Sequence, residues 1–164
     1  MTARRIRLGS NPRSGLAAGR RPRFRCTLSP ANRGTACTAR WMRGRSARGK
    51  IAGRETLAIN PVDAQRRSIG DGEVVRVFNA RGACFVGVCV TEAVRPGVVR
   101  LSCGAWYDPA GDEDEPACAY GNANVLTRDH GTSRLSQGPS SATALVEVAK
   151  CADPPPVRVF APVP

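Results

Sequence analysis

The stretch Asp71-Gly-Glu-Val-Val-Arg-Val-Phe-Asn-Ala-Arg-Gly-Ala-Cys-Phe-Val-Gly-Val-Cys-Val-Thr91 contains two β-prone runs separated by a short polar turn. In the first run Val75 and Val77 alternate with Arg76, as in a strand with one buried face. The turn at residues 79–82 ends in a glycine, Gly82, which we expect to adopt a positive φ. The return run, residues 83–91, is almost continuously apolar and predicts a strand covered on both faces. The stretch therefore predicts a β-hairpin.

The residues on either side of this hairpin add short strands and a helix. Asn60 is a favourable helix cap and Pro61 fits the first helical position, where no donor is lost. A turn is predicted at residues 95–97. Further strands are predicted at residues 57–59, 98–102 and 144–148. Short strands, closely spaced glycine turns and one or two short helices predict a mainly β fold, a small barrel.

Charge divides the chain into a basic arm and a nearly neutral domain. Residues 1–50 hold fourteen Lys and Arg and no acid, whereas residues 51–164 hold eleven bases and thirteen acids. The Arg-rich arm (residues 1–49) is predicted to be disordered, either as a nucleic-acid-binding tail or as a segment without a selected role. The barrel is expected over residues 50–150 and a Pro-rich tail, with little obligation to fold, over residues 151–164.

The cysteines predict neither a metal site nor a disulfide framework. The chain has seven, an odd number, and no Cys-x-x-Cys pair. Cys84, Cys89 and Cys103 lie among apolar residues and are interpreted as reduced core residues. The acidic run at residues 112–115 lacks the ligand spacing of a metal site and is interpreted as a solvated loop. With no convincing export signal and no apolar run of membrane-spanning length, we expect a cytoplasmic protein that does not bind a membrane.

Residues 121–138, Gly-Asn-Ala-Asn-Val-Leu-Thr-Arg-Asp-His-Gly-Thr-Ser-Arg-Leu-Ser-Gln-Gly, combine amide, hydroxyl and carboxylate side chains with several glycines. Such a set matches the donor and acceptor edge of a flat heterocycle better than it matches a metal ion. The single histidine, His130, has no neighbouring nucleophile or carboxylate constellation. These residues therefore indicate ligand binding rather than acid–base catalysis.

Dispersed motifs together resemble one protein family. They are Gly53-Arg54-Glu55, Ile59-Asn60-Pro61-x-Asp63-Ala64, the run from Ile69 to Gly82, Arg95-Pro96-Gly97-Val98-Val99, Gly104-Ala105-Trp106-Tyr107-Asp108-Pro109 and Gly121-Asn122-x-Asn124-Val125-Leu126-Thr127. In order and spacing they resemble the C-terminal molybdopterin-guanine-dinucleotide-binding domain of the dimethyl-sulfoxide-reductase family. The motifs at residues 104–109 and 121–127 resemble its biotin sulfoxide and trimethylamine N-oxide reductase branch. The resemblance covers residues 50–150.

The resemblance implies a double-psi β-barrel that binds a bis(molybdopterin guanine dinucleotide) molybdenum cofactor. It implies a role in an oxidoreductase that removes oxygen from S-oxides or N-oxides. No residue matches the family's metal-ligand motif, so we expect a fragment that is inactive alone, with no catalytic or metal-ligating residues. Its partners would be the cofactor and, if supplied in trans, the catalytic domains of the parent enzyme. A second hypothesis is a nucleic-acid-associated protein that acts through the basic arm.

The resemblance also implies which side chains contact the cofactor. The predicted cofactor-binding residues are Asn122, Asn124, Thr127, Asp129, Ser133, Gln137, Asn79 and Arg81. For each asparagine in these turns, a hydrogen bond to its own backbone is an equally reasonable interpretation. Arg81 is alternatively a surface charge. Trp106 and Tyr107 are interpreted as packing at the end of the barrel.

Overall fold

The fold was analysed in a computed structural model that describes residues 24–29, 49–111, 116–127, 133, 135 and 143–158. These residues form seven strands, one α-helix and a short 3-10 helix. The strands are β1 (Phe24–Ser29), β2 (Thr56–Ile59), β3 (Val74–Asn79), β4 (Gly82–Val90), β5 (Val98–Ser102), β6 (Ala117–Cys118) and β7 (Thr143–Lys150). The helices are α1 (Pro61–Arg66) and the 3-10 helix Ala123–Leu126.

The hairpin predicted from the sequence is formed by β3 and β4. The two strands pair antiparallel from Val74 opposite Gly87 to Asn79 opposite Gly82. Val75 and Val77 are fully buried, while Arg76 between them is only half-buried. The hairpin and its alternation are therefore confirmed.

Gly82 is required for a different reason from the one predicted. It is not among the glycines with positive φ, because it is the first residue of β4. A Cβ atom at this position would lie 2.6 Å from the carbonyl oxygen of Pro116 and 3.2 Å from that of Val125. The prediction of a positive φ is wrong. Gly82 instead allows the loop that carries Val125 to approach the hairpin closely.

Strand pairing closes the sheet into a ring. The strand order is β2-β5-β1-β7-β3-β4-β6, and β2 also pairs in parallel with β4. Six strands thus follow one another around a closed barrel, and β6 pairs with the start of β4, on the edge that β2 occupies further along that strand. Two of the six pairs in the ring are parallel (β1 with β5, β2 with β4) and four are antiparallel. The mainly β class and the small double-psi-like barrel predicted from the sequence are confirmed.

One strand of this ring comes from the arm that was predicted to be disordered. β1 lies between β5 and β7, and residues 25–29 pair with residues 98–102. The prediction of disorder is wrong for residues 24–29, because they form a strand that hydrogen-bonds to both neighbours. Without this strand the barrel would have a gap between β5 and β7. The remainder of the arm, residues 1–23 and 30–48, lies outside the described residues.

The core consists of aliphatic side chains that project into the barrel. The largest that are fully buried are Leu57, Ile59, Leu101, Leu126, Val75, Val77, Val86, Val88, Val99 and Val146. Cys84 is fully buried among them, and Cys89 and Cys103 are half-buried cysteines in the reduced state. Leu126 belongs to the 3-10 helix rather than to a strand, so the core extends beneath the loop predicted to bind a ligand.

Helix α1 begins as predicted. The Asn60 side chain accepts a hydrogen bond from the Val62 amide at 3.0 Å, and Pro61 occupies the first helical position. The same side chain donates to the Val94 carbonyl at 2.7 Å, and the buried Asp63 accepts from the Gly97 amide at 2.6 Å. Asn60 and Asp63 thereby tie α1 to the turn that precedes β5.

The first half of the Pro-rich tail is attached to the barrel. The buried Arg54 side chain donates to the carbonyl oxygens of Ala52, at 3.0 Å, and Pro155. The buried Asp108 carboxylate accepts from the Arg158 amide at 2.6 Å, and Val157 packs against the core. The prediction that the tail has little obligation to fold is wrong for residues 151–158. Residues 159–164 lie outside the described residues.

Within the described ranges, no helix has the length and apolar character needed to cross a membrane.

Candidate functional site

The predicted site residues fall into two groups on the chain. Asn79 and Arg81 lie at the β3–β4 turn, and Asn122, Asn124 and Thr127 lie in the amide loop (residues 121–127). Ser133 is exposed. Asp129 and Gln137 lie outside the described residues, as do His130 and the acidic run at residues 112–115.

The amide loop is built from its own side-chain hydrogen bonds. Asn122 caps the 3-10 helix, and its side-chain oxygen accepts from the Asn124 amide at 2.9 Å. The Asn124 carbonyl accepts both the Thr127 amide, at 3.2 Å, and the Thr127 hydroxyl, at 3.0 Å. The turn-forming interpretation that the sequence left open therefore holds for the oxygen of Asn122 and for the hydroxyl proton of Thr127.

The β3–β4 turn connects to the amide loop through one carbonyl oxygen. Leu126 O accepts Asn79 Nδ2 at 2.8 Å, Arg81 Nε at 2.9 Å and Arg81 Nη2 at 2.7 Å. Asn79 also donates to Leu145 O at 3.3 Å and accepts from the Arg81 amide at 2.9 Å. Both donor hydrogens of the Asn79 amide are engaged within the protein. Asn79 and Arg81 thus lie beside the loop and fix its position.

Close backbone packing holds the start of the amide loop against the barrel. Gly121 has φ +94°, and a Cβ there would lie 3.0 Å from Glu55 Cβ and from Val86 Cγ1. The preceding Tyr120 is buried, and Lys50 Nζ lies 4.5 Å from the centre of its ring. Lys50 also forms an ion pair with Glu55. The loop therefore starts from a fixed point on β4.

A second loop runs beside the amide loop. The aromatic loop (residues 104–109) ends in a short antiparallel ladder. Ala110 donates to Ala117 O at 3.0 Å, Pro109 faces Cys118, and Ala119 donates to Asp108 O at 2.8 Å.

The sulfur of Cys118 joins the two loops. Cys118 Sγ lies 3.4 Å from the Asp108 amide nitrogen and 3.3 Å from the Asn122 amide nitrogen, and accepts from both. It lies 3.7 Å from the Trp106 carbonyl, to which the thiol donates. Cys118 is completely buried. Sequence reasoning missed this residue, since an isolated cysteine three residues before a polar loop carries no spacing signal.

Trp106 and Tyr107 are not packed as predicted. They remain 49% and 51% exposed on the aromatic loop. The interpretation of these residues as packed at the end of the barrel is therefore wrong for about half of the surface of each side chain, which is exposed. The loop instead derives its fixed position from Cys118 and from the buried Asp108.

Beneath the aromatic loop lies a buried charge cluster. Burial lowers the pKa of the Arg54 guanidinium, while Cys151 and Asp108 favour its charged form and act in the opposite direction. Arg54 Nε is buried without a hydrogen-bond partner among the described residues. A pocket of about 290 Å³, lined by Glu73, Val74, Lys150, Cys151 and Ala152, contains none of the predicted site residues.

The donor set of the amide loop fits a flat heterocycle. Asn124 is exposed, and Asn122 has its oxygen in the turn and can offer the hydrogens of Nδ2. Amide groups of this kind match paired donors and acceptors on a ring edge. A search of the described residues finds no group of three or more His, Cys, Asp or Glu side chains able to hold a metal ion. The described part of the site offers hydrogen-bonding groups that can bind and orient a ligand.

Comparison with known proteins places this loop within a family match. Residues 30–145 match the family described as the molydopterin dinucleotide binding domain. The match begins ahead of the boundary expected at Lys50 and includes the hairpin, the aromatic loop and the amide loop.

Curated relatives are substantially identical over the barrel. The chain is 54% identical over 101 residues to trimethylamine-N-oxide reductase 1 of Escherichia coli K12, and this match covers 61% of the chain and 12% of that protein. It is 47% identical over 106 residues to a dimethyl sulfoxide/trimethylamine N-oxide reductase of Cereibacter sphaeroides, covering 64% and 13%. The chain thus spans about an eighth of the length of the relatives that it matches.

Among solved structures, the fold is similar to part of acetylene hydratase from Pelobacter acetylenicus. The TM-score is 0.59 at 16% sequence identity, and the match covers 78% of this chain and 18% of that one. At this identity the likeness supports the fold alone.

Proposed function

The chain belongs to the molydopterin dinucleotide binding domain family, and from this premise we propose that it serves a molybdenum oxidoreductase that reduces N-oxides or S-oxides. Binding of a molybdopterin-type cofactor is the property of the domain. The substrate class is suggested by relatives whose names are trimethylamine-N-oxide reductase and dimethyl sulfoxide/trimethylamine N-oxide reductase.

The observation that carries the proposal is the state of the amide loop. Its backbone turns are satisfied by hydrogen bonds of Asn122, Thr127 and Leu126, and these bonds define the shape of the loop. The hydrogen bond that the Asn122 side-chain oxygen accepts also orients the NH2 group of the same side chain. A prearranged site loses less freedom on binding, which favours affinity.

Asn122 and Asn124 would hold the ring edge of the cofactor, since their remaining amide groups face no competing turn. Arg81, whose Nε and Nη2 engage Leu126 O, would place its positive charge near a phosphate while keeping the loop fixed. Asp129, Ser133 and Gln137 stay predicted contacts. When bound, the cofactor supplies the redox-active molybdenum, and this chain contributes binding and orientation.

Three finer features belong to the same proposal. The cofactor would be the bis(molybdopterin guanine dinucleotide) form. The catalytic domains of the parent enzyme would share it with this chain, in trans where they are separate. The complex would be cytoplasmic. The sharing of the cofactor with other domains is supported by the extent of the match, since this chain matches only 12% of the E. coli relative and most of that enzyme lies outside the matched part. The alternative function, nucleic-acid binding through the basic arm, finds no support in the comparisons.

The proposal is tested by co-expressing the full chain with the E. coli K12 relative truncated before its matching segment. The purified complex should release guanine nucleotide and pterin on acid treatment, whereas the full chain expressed alone should release neither. Replacing both amides (Asn122→Ala with Asn124→Ala) should lower the pterin content, and Val62→Ala, an exposed change on α1, serves as the control. Full pterin content in the double variant would contradict the site, and N-oxide reduction by the chain alone would contradict the proposed dependence on catalytic domains.

A further inference from the structure

Two adjacent aromatic residues on the aromatic loop expose a large apolar area. Trp106 is 49% exposed and Tyr107 is 51% exposed. Single exposed apolar residues need no explanation, but a contiguous pair of large rings commonly marks a binding surface. Hydrogen bonds fix the position of their loop. The adjacent residue Asp108 is buried, accepts from Arg158 N and Ala119 N, and donates its amide to Cys118 Sγ.

The short ladder places this pair beside the amide loop. Asp108 pairs with Ala119, and the two segments run antiparallel. The residues just before Asp108 therefore leave the ladder at the same end as the residues just after Ala119. Trp106 and Tyr107 emerge there on one side, and Asn122 follows on the other.

Cys118 sets the spacing between the two sides. Its sulfur lies 3.7 Å from the Trp106 carbonyl oxygen and 3.3 Å from the Asn122 amide nitrogen. The two backbone atoms are consequently no more than 7.0 Å apart. A bicyclic heterocycle is wide enough to contact side chains from both positions.

The predicted site lacks one type of contact for such a ligand. The amide groups of Asn122 and Asn124 match the edge of a flat ring, but nothing in that set covers its face. Aromatic side chains provide this contact by stacking, and they accept any flat π-system. Trp106 and Tyr107 are the large aromatic residues among the exposed apolar side chains of the described chain.

We propose that Trp106 and Tyr107 form a stacking platform for the 2-amino-4-oxopyrimidine ring system of the cofactor, held beside the amide loop by Cys118. Guanine and pterin share this ring system, so the platform takes one of the two. The inference rests on the proposed function and adds residues to its site. Edge contacts from the asparagines would select this ring system over other flat rings, and stacking would add to the affinity.

The test uses tryptophan fluorescence of the full chain. The chain has two tryptophans, and the Trp41→Phe variant retains Trp106 alone. This variant is titrated to millimolar concentration with guanosine monophosphate, with pterin and with adenosine monophosphate, and binding is measured in parallel by equilibrium dialysis. Guanosine monophosphate or pterin should quench the fluorescence, and the ligand that does so identifies the ring that stacks.

Variants then assign the effect to the platform. Trp106→Ala and Tyr107→Ala should each weaken binding about 10-fold, as expected for the loss of one stacking contact. Trp106→Phe should retain most of the affinity, and Val62→Ala should bind like the parent. A thermal melt of each variant shows whether it is folded, and the Phe variant keeps the test valid if Trp106→Ala is not.

Each outcome decides. Ligand binding that is unchanged in both Ala variants overturns the platform and leaves the proposed function intact. Equal quenching by adenosine monophosphate overturns the assigned ring system. Absence of binding by both guanosine monophosphate and pterin also overturns the platform, whereas the proposed function is judged separately by the release of nucleotide and pterin from the co-expressed complex.

Discussion

The barrel wall and the two loops that adjoin it are held together by different forces. In the wall, pairs such as Leu57 with Leu101 are completely buried, and backbone groups bond to neighbouring strands. In the loops, backbone groups bond to side chains as well as to other backbone groups. Cys118 Sγ serves two amides, and Leu126 O is served by Asn79 and Arg81.

The difference teaches that stability and ligand binding are largely separable in this fold. Apolar burial is spread over many side chains, so a wall defect lowers the stability of the whole domain. A loop hydrogen bond depends on one atom, so its loss displaces a few residues at modest cost in stability. The predictions below test this separation, beginning with the change of largest expected effect.

Truncation of a wall residue should have the largest effect. Leu101 on β5 is fully buried, and Leu101→Ala should lower the free energy of unfolding by about 3–4 kcal/mol, the sum of lost burial and a cavity. Urea denaturation followed by circular dichroism measures this. The matched control is Leu145→Ala on β7, where the same side chain is 55% exposed and the change should stay within about 0.5 kcal/mol. Equal losses at both positions would contradict the core described here.

Removing Arg54 tests the junction between wall and loops. Arg54→Met keeps much of the side-chain volume but deprives Pro155 O of its donor and Asp108 of its nearby positive charge. We expect a loss of about 2–3 kcal/mol, because the partners stay buried without compensation. Chemical denaturation measures the loss, and limited proteolysis should show cleavage after residue 150.

Arg158→Ala is the control for this prediction. Asp108 accepts from the backbone amide of residue 158, which the substitution keeps, so stability should be unchanged. If Arg158→Ala were as destabilising as Arg54→Met, the arginine side chain rather than the backbone contact would hold the tail.

The wall could be predicted from the sequence, since its signals are local. Three local signals each predicted one element. The alternation in Val75-Arg76-Val77 predicted β3, the cap at Asn60 predicted the start of α1, and the turn before Val98 predicted the start of β5. β1 escaped prediction because its pairing with β5 and β7 is a long-range property. Apolar and polar residues do alternate over Phe24–Ser29, but this short strand signal was outweighed by the Arg-rich composition of the segment around it.

The loops were harder to predict because their order comes from contacts distant in sequence. The sequence predicted Asn122 and Asn124 as ligand-binding side chains. The structure adds that the turn uses the side-chain oxygen of Asn122 and the backbone amide of Asn124. Nothing in the sequence showed that Cys118 joins the two loops or that Asp108 holds the tail through Arg158 N. Gly82 shows the same limitation, since its close approach to Pro116 O is visible only in three dimensions.

Cys118 provides the sharpest test of separability. Cys118→Ala removes the acceptor of two amides and should cost about 1–2 kcal/mol of stability. Binding of guanosine monophosphate or pterin, measured by equilibrium dialysis, should weaken by more than this loss of stability explains. Cys118→Ser keeps an acceptor, but its shorter bond places the oxygen farther from both amides, so partial recovery is expected. Cys89→Ala, at a half-buried free thiol on β4, is the control and should leave binding unchanged. Binding by Cys118→Ala equal to that of the parent would show that the loops hold their spacing without the sulfur.

The smallest effect is expected at the ion pair on the rim of the wall, where neither burial nor loop order is involved. The Gly70 amide, at 2.9 Å, and Lys150, at 3.1 Å, lower the pKa of the exposed Glu73 carboxyl. A carboxyl whose pKa is lowered by folding stabilises the fold above its unfolded pKa of about 4.3 and ceases to do so as the pH falls through its folded pKa. Glu73→Gln should therefore lower the melting temperature slightly at pH 7, and the difference from the parent should shrink towards pH 3 and in high salt, as an exposed pair requires. A difference that is the same at both pH values would mean that the charge of Glu73 contributes nothing to the stability of the rim.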